Sequence, residues 1–546
     1  MPNLPREEIR TEVLVIGGGA AGLVAAIEAK ACGLDVTLVA KSKVGRSGNT
    51  IVAGTGMAVW APDLDSKDAM EVFKEDTFSS GKGVNDPEIV DLFIKGSSNL
   101  IEKLSAYGVK FKSMKNNLVI KHAPGHSKAR TVSVDFSKFP YLTRGLSLSV
   151  PLLDTAEKAG IRIIDYTSVV ELLLADGRVA GAVALNKKTQ SVIIFRAGCV
   201  ILSTGGGGRI FRKTNNTRDI TGDSYRLALN AGASLRDMEF VQFYPTMMFS
   251  PIKVTVSSPL FGEGAFLRNA LGDRFMSNYD EKGDMATRDI MSRAVFNEVK
   301  EGRGDKGHVF MDCRHIDSKV FEARYAEFMR LLSKANIDLR KDLIPISPAT
   351  HFFMGGVVIN ERGETQIPGL LACGEAVGGL HGANRLGGNA LTETFVFGTI
   401  AGKQAKQVID SKSLPEPRSL EIEPFRKGGI NISELMTSLR RVTWDYLSII
   451  REEKTSQTAL DEIEQITDAL DNTRVESIFD LVSLYELKSM VATAELIGLG
   501  AMARKESRGA HFRSDFPDSR DDDFKGNFFY RKQNNKIDVQ YRPASY

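Results

Sequence analysis

The chain has 546 residues, 42% hydrophobic and 25% charged, enough for a large core and roughly two to four domains. A net charge of +3 lies too near balance to argue for a nucleic-acid partner, and no basic run interleaved with aromatics appears. The four cysteines, Cys32, Cys199, Cys313 and Cys373, are scattered without a CxxC pair, which argues against a disulfide framework and against an iron–sulfur cluster carried on this chain.

That cysteine usage points to a reducing, cytoplasmic setting. The opening MPNLPREEIR is charged and lacks the apolar core of a signal peptide, and no apolar stretch reaches membrane-spanning length. The expectation is a soluble protein without a transmembrane segment. Peripheral docking on the inner face of a membrane, through a partner, stays open.

In chain order, Val13–Ile16 reads as a buried strand, followed by a glycine turn from Gly17 to Gly22 and an alanine-rich helix to about Gly33. Val36–Val39 makes a second buried strand, completing a βαβ unit. Residues from about 160 to 205 read as strands and hairpins that end in the buried strand of CVILSTGGGG. A less glycine-punctuated stretch, about 241–350, precedes a third glycine-rich segment at 354–402. Chemistry that starts near the N-terminus and resumes near residue 370 implies one domain interrupted by another. SKSLPEPRSL (411–420) reads as a proline-punctuated linker. Three apolar stripes at helical spacing follow: Leu435, Leu439, Val442, Tyr446 and Ile449; Ala459, Ile463, Ile466 and Leu470; Val475, Ile478, Val482 and Tyr485. They are expected to pack on one another, with a polar, aromatic-containing tail behind them.

Gly17, Gly18, Gly19, Ala20, Ala21 and Gly22 fit GxGxxG between a strand and a helix. The glycines permit a tight turn and close approach of a pyrophosphate, whose charge then meets the helix N-terminus. This pattern alone does not separate NAD from FAD. The second strand ends at Lys41-Ser42 rather than at the acidic residue that usually holds a ribose. Further segments continue the theme: VGRSGNTIVAGTGM (44–57), TGGGGRI (204–210), ITGDSYRLALNAGASL (220–235) and IPGLLACGEAVGGLHGANRLGGNALTETFVFGTIAG (367–402).

These segments, in this order and at these separations, resemble the succinate dehydrogenase/fumarate reductase flavoprotein family, which includes L-aspartate oxidase. The match runs from about residue 11 to about 409 and extends into ESRGAHFRSDFPDSRDDDF (506–524), with HGANRLGGN (381–389) its most specific string. The resemblance implies an α/β fold: a Rossmann-like FAD-binding domain (1–240 and 351–410) interrupted by an α+β capping domain (241–350). A C-terminal helical domain with a tail (425–546) follows. It also implies FAD held by the glycine turn, Lys41, Ser42, Ser47, Gly48, Asn49, Thr50, Gly205, Asp223, Glu375, Ala390 and Leu391. Members with covalent flavin carry a histidine in an RSHT-like string; here the string is Arg46-Ser47-Gly48-Asn49-Thr50, so non-covalent FAD is expected.

For the substrate, the resemblance implies Arg288, in ATRDI, as proton donor to a carbon beside a carboxylate. It implies His351 and Arg385 as the carboxylate clamp, since a guanidinium fork matches a carboxylate bidentately. Outside that context, Arg288 would read as a surface arginine paired with Asp284 or Asp289. The other half of the pocket departs from the family pattern. Tyr244 stands where QFHPT has its histidine, and 257–264 (SSPLFGEG) lacks the usual Thr-Glu pair and arginine. Tyr244 and Ser257, with Thr255, Ser258 and Phe261, suit a neutral or apolar far end, while Glu263 and Lys253 are charges within reach of the same segment.

The implied function is FAD-dependent two-electron redox at a carbon–carbon bond beside a carboxylate, with hydride transfer at flavin N5. A small carboxylate is the substrate, and a separate iron–sulfur subunit or small carrier supplies electrons. Two alternatives remain: L-aspartate-oxidase-like amino acid oxidation, and a flavin electron-transfer subunit without turnover of its own. The set Arg288, His351 and Arg385 weighs against the last, because electron transfer alone needs no proton donor.

Overall fold

A computed structural model describes residues 4–544 apart from 62–67, 116, 124, 257, 410–421 and 535. The linker at 411–420 and Ser257 therefore lie outside the described residues.

Short, fully buried, apolar runs make four strands of the central sheet, because a parallel strand covered on both faces needs apolar side chains throughout, while the edge strand Arg162–Ile164 is partly exposed. Five parallel strands stand in the order Leu370–Ala372, Cys199–Leu202, Val13–Ile16, Val36–Val39 and Arg162–Ile164. The first strand in sequence is thus in register with Val36–Val39 on one side and Cys199–Leu202 on the other. Helix Ala20–Ala31 follows the first strand and packs on helix Asn389–Ile409, so segments more than 350 residues apart meet beneath the glycine turn. A second sheet pairs Arg6–Arg10, Ser191–Arg196, Arg178–Asn186 and Thr167–Ala175.

Between its visits to the central sheet at Leu202 and Leu370, the chain builds an antiparallel sheet around Val241–Met248 and Ile344–Phe353. This sheet, helix Arg288–Lys300 and the short helices near Phe321 and Phe328 enclose a separate apolar core. Helix Arg288–Lys300 packs against Val241–Met248, which fixes the start of that helix against the strand carrying Tyr244. The architecture is the interrupted α/β fold expected.

The three C-terminal stripes lie on helices Ile432–Leu447, Glu453–Ala469 and Ile478–Ala503 or on the turns beside them, and every stripe residue but Tyr446 is buried. They do pack on one another. Their apolar residues also join the core cluster of the central sheet, and helix Ile478–Ala503 packs on helix Asp223–Asn230. A capping box between Ser477 and Asp480 starts the longest helix, each side chain satisfying an N–H that the first turn leaves free.

The tail differs from the sequence reading. Gly526–Gln533 and Lys536–Pro543 form a hairpin that adds to Leu235–Arg236 and Gly356–Val357. Phe528 and Tyr530 alternate inward from this polar-looking segment, and the Tyr530 hydroxyl donates to Glu239 Oε2 at 2.7 Å. Among the described residues no helix is long and apolar enough to cross a membrane.

Candidate active site

The turn after strand Val13–Ile16 is forced by contact as well as by conformation. A Cβ on Gly22 would stand 1.9 Å from the Gly17 carbonyl oxygen, and one on Gly17, whose φ is +119°, would stand 2.2 Å from that of Ser203. Only glycine lets helix and strand approach this closely. The Ala20 N–H donates to Thr50 Oγ1 at 3.1 Å, which ties the helix start to the Ser47–Thr50 loop.

A cavity of about 1070 Å³ runs from this turn into the antiparallel sheet domain. Gly17, Gly18, Gly19, Ala20, Ala21, Lys41, Ser42, Ser47, Gly48, Asn49, Thr50, Gly205, Asp223, Glu375, Ala390 and Leu391 all line it. Gly22 does not; it sits behind the turn as the packing glycine. The size suits an adenine dinucleotide, and the helix N-terminus beside Gly17–Ala21 suits its pyrophosphate.

Charges around the cavity are tied down. Lys41 Nζ lies 2.7 Å from Asp223 Oδ2 and 3.2 Å from Glu486 Oε1. Burial opposes the lysine charge, but the two carboxylates outweigh it and hold its pKa above the ordinary value. Ser42 Oγ donates to Asp219 Oδ1 at 2.7 Å, and the Gly48 N–H donates to the other oxygen at 3.2 Å. Ser47 Oγ turns back to the Lys43 carbonyl at 2.8 Å. Glu375 Oε1 accepts from the Phe353 N–H at 3.2 Å and Oε2 from Asn49 Nδ2 at 3.3 Å. Burial pushes the Glu375 carboxyl up to about 7 against those two donors. A carboxylate wall facing a dinucleotide cavity is suited to hydroxyl donors such as those of a ribose.

At the far end the same cavity is lined by Arg288, His351, Arg385 and Tyr244. Arg288 is the first residue of its helix, and its guanidinium stands 5.3 Å from the Tyr244 ring centre. The surface pairings open to it are taken elsewhere: Asp284 pairs with Arg274 at 3.3 Å and Asp289 with Arg293 at 3.2 Å. His351 Nδ1 faces the Asn215 amide at 2.9 Å, and its ring lies 5.5 Å from that of Tyr244. Burial, then the charges of Arg385 and Arg288, hold its pKa well below the usual histidine range. Arg385 is buried over the Phe352 ring at 4.6 Å; burial and the neighbouring Arg288 bring its pKa down to about 10. A buried and a half-buried cation with a neutral imidazole around one cavity end make a site short of negative charge, which a carboxylate would supply.

The altered half of the pocket is partly as expected. Tyr244 and Thr255 line the cavity, joined by Met247, Val254 and Pro259. The Tyr244 hydroxyl donates to the Val256 carbonyl at 3.2 Å. Phe261 packs into the core of the antiparallel domain instead of the cavity, because its short helical turn points inward. Glu263 is drawn to Arg324 at 2.5 Å and is likewise absent from the lining. Lys253 does line the cavity, near Arg209 and Arg218; partial burial and then these two charges lower its pKa.

Sequence reasoning missed three contributors. Asn215 and Asn216 bind the His351 ring and the His351 carbonyl, and the TNNTRD loop that carries them gave no glycine signal. Gln242 holds Arg385 through its side-chain oxygen; its position two residues before Tyr244, inside a strand, was the available clue.

Comparison with known proteins gives this geometry its context. Residues 12–391 match the FAD binding domain family, and residues 436–546 match the fumarate reductase flavoprotein C-terminal family. An uncharacterized FAD-dependent oxidoreductase of Methanocaldococcus jannaschii is 38% identical over 96% of both chains. A fumarate reductase (CoM/CoB) chain of Methanothermobacter marburgensis is 35% identical, covering 93% of this chain and 95% of its own. The L-aspartate oxidase of Acinetobacter baylyi is 30% identical over 93% of this chain and 94% of its own. Among solved structures, an E. coli quinol fumarate reductase chain superposes with a TM-score of 0.88 at 28% identity, covering 98% of this chain and 97% of that one. The chain belongs to the succinate dehydrogenase/fumarate reductase flavoprotein family and is an FAD-dependent oxidoreductase.

Proposed function

We propose that this flavoprotein carries out two-electron redox at a carbon–carbon bond beside a carboxylate. The observation that carries the reading is the meeting of Arg288, His351 and Arg385 at one end of the cavity that begins at the glycine turn. Bound FAD would supply or accept the hydride.

In this reading the glycine turn takes the pyrophosphate and Glu375 a ribose hydroxyl. Arg385 and His351 orient the substrate carboxylate, and the neutral His351 acts as a hydrogen-bonding group rather than a second cation. Arg288 holds the proton that the second carbon receives, and the strand carrying Tyr244 keeps its guanidinium at the cavity wall. The far end of the substrate lies against Tyr244, Met247 and Pro259, which favours a neutral or apolar group there. Lys253 also lines that half of the pocket. With no CxxC pair in the sequence, electrons reach the flavin through a separate iron–sulfur subunit or a small carrier.

Anaerobic titration of the dithionite-reduced protein with a panel of enoates, and of the oxidised protein with L-aspartate, tests this reading. Reoxidation by an enoate is expected. Bleaching by L-aspartate together with inertness to every enoate would replace it with amino acid oxidation.

A further inference from the structure

A second, small chamber lies on the other side of Arg288. It is lined by Gln242, Asp289, Ser292, Arg293 and Asn384, with an apolar back wall that includes Ile449 and Ala510. Among the described residues, Arg288 is the one side chain that lines both this chamber and the main cavity. The chamber offers about 20 Å³, above the roughly 10–15 Å³ that a single water requires. Its walls carry carboxylate, guanidinium, hydroxyl and amide groups, more than the two to four partners (roughly) that an ordered water uses.

The helix explains the arrangement. Arg288 and Ser292 lie four residues apart on one face, and Asp289 and Arg293 lie four apart on the adjoining face. Asp289 and Arg293 are each about one-fifth exposed, at 20% and 22%, so the pair connects the chamber to solvent. Thr287 Oγ1 also donates to Asp289 Oδ1 at 2.6 Å, which fixes that carboxylate at the helix start.

We propose that this chamber is the route by which Arg288 recovers its proton, with Asp289 as the positioning residue at its outer end. The inference rests on the reading of Arg288 as proton donor. In each turnover an Arg288 N–H bond breaks as a substrate C–H bond forms. Asp289, a carboxylate paired with Arg293, takes up a proton from solvent and passes it to the chamber water as that water gives its own proton to the neutral guanidine. No electrons move in the relay. Such a route places the proton source behind Arg288, apart from the main cavity.

The test compares Asp289→Asn, Asp289→Glu and Arg288→Gln in the FAD-loaded protein, using an enoate that the wild type reduces. Asp289→Asn should lower kcat by about a hundredfold or more, the lower end of the range for lost proton transfer. KM, FAD content and the affinity for a non-reacting carboxylate, read from the flavin absorbance, should stay unchanged. Its solvent deuterium isotope effect on kcat should rise, and Asp289→Glu should restore the rate. Should Asp289→Asn fail to retain FAD, Ala510→Leu carries the test, because it fills the chamber from the opposite wall and should give the same kinetic pattern. An unchanged kcat and isotope effect in Asp289→Asn, or in Ala510→Leu where that variant carries the test, with Arg288→Gln inactive, would overturn the route and leave the function standing. Activity retained in Arg288→Gln would overturn the proton-donor reading itself.

Discussion

Gln242 presents a single oxygen, Oε1, to two nitrogens of Arg385, Nη2 at 2.8 Å and Nε at 3.2 Å. In return Gln242 Nε2 donates to the Arg385 carbonyl at 3.2 Å, so one amide fixes both the backbone and the side edge of the guanidinium. Arg385 Nη1 reaches the Leu386 carbonyl at 3.3 Å, which leaves the outer edge of the fork as the edge available to a ligand. Replacing Gln242 with Leu should therefore free the fork to rotate. Carboxylate affinity should fall by about 1.5–3 kcal/mol, the scale of a hydrogen bond to a charged group. Isothermal titration with an unreactive carboxylate measures it, and an affinity equal to wild type would show that the packing on Phe352 orients the fork by itself.

Arg385→Ala should weaken carboxylate binding by about 2–5 kcal/mol, the scale for loss of a charge-assisted bidentate contact in a buried site. FAD affinity should change far less, because the guanidinium is hydrogen-bonded to Gln242 and the Leu386 carbonyl and not to the glycine turn. Equal losses in both affinities would place Arg385 against the cofactor.

Denaturing acid should release all of the FAD into the supernatant. The loop Ser47–Thr50 lines the cavity without a histidine, and the histidine on the cavity wall, His351, has its Nδ1 engaged with Asn215. Yellow colour on the precipitated chain would show a covalent link.

His351 carries a pH signature with a definite sign. Its pKa in the folded chain is well below 6.5, through burial first and then Arg385 and Arg288. The folded state therefore binds fewer protons than the unfolded state below that pH. Its stabilising effect is full above about pH 6.5 and is lost as the pH falls further, by up to about 1.4 kcal/mol per unit. The melting temperature gap between wild type and His351→Gln should narrow from pH 6.5 to 5. His511 is depressed in the same direction, but it is common to both proteins and cancels. A gap that widens on acidification would mean a charged imidazole.

Fumarate should be a poorer substrate than enoates with one carboxylate and a neutral far end. A second carboxylate pressed against Tyr244, whose hydroxyl is already bonded to Val256, loses hydration worth several kcal/mol, and the Arg288 guanidinium over that ring serves as proton donor rather than as a second clamp. Relative kcat/KM values decide it. A preference for fumarate that disappears in Lys253→Met would make Lys253 the second clamp.

The βαβ unit, the interrupted order of its segments and the apolar helical stripes were legible in the sequence because each rests on local spacing. Gly17 to Gly19 must be a turn wherever the chain goes, and Leu435 to Ile449 must find an apolar neighbour. The resemblance in HGANRLGGN and ATRDI named Arg288 and Arg385 for the same reason: short strings keep their order. The rest depended on which distant groups came together. Asp289 prefers Arg293, and so releases Arg288 into the cavity, only because the helix begins against strand Val241–Met248. Phe261 and Glu263 are two residues apart, yet one is claimed by a core and the other by Arg324, a competition invisible along the chain. Likewise Phe528 and Tyr530 become a strand because Leu235–Arg236 offers an open edge and Glu239 accepts a hydroxyl. Local pattern determined the elements and most of the dinucleotide turn. Tertiary packing alone decided which charges were neutralised and which were left facing the cavity, since a side chain's partner is set by three-dimensional proximity.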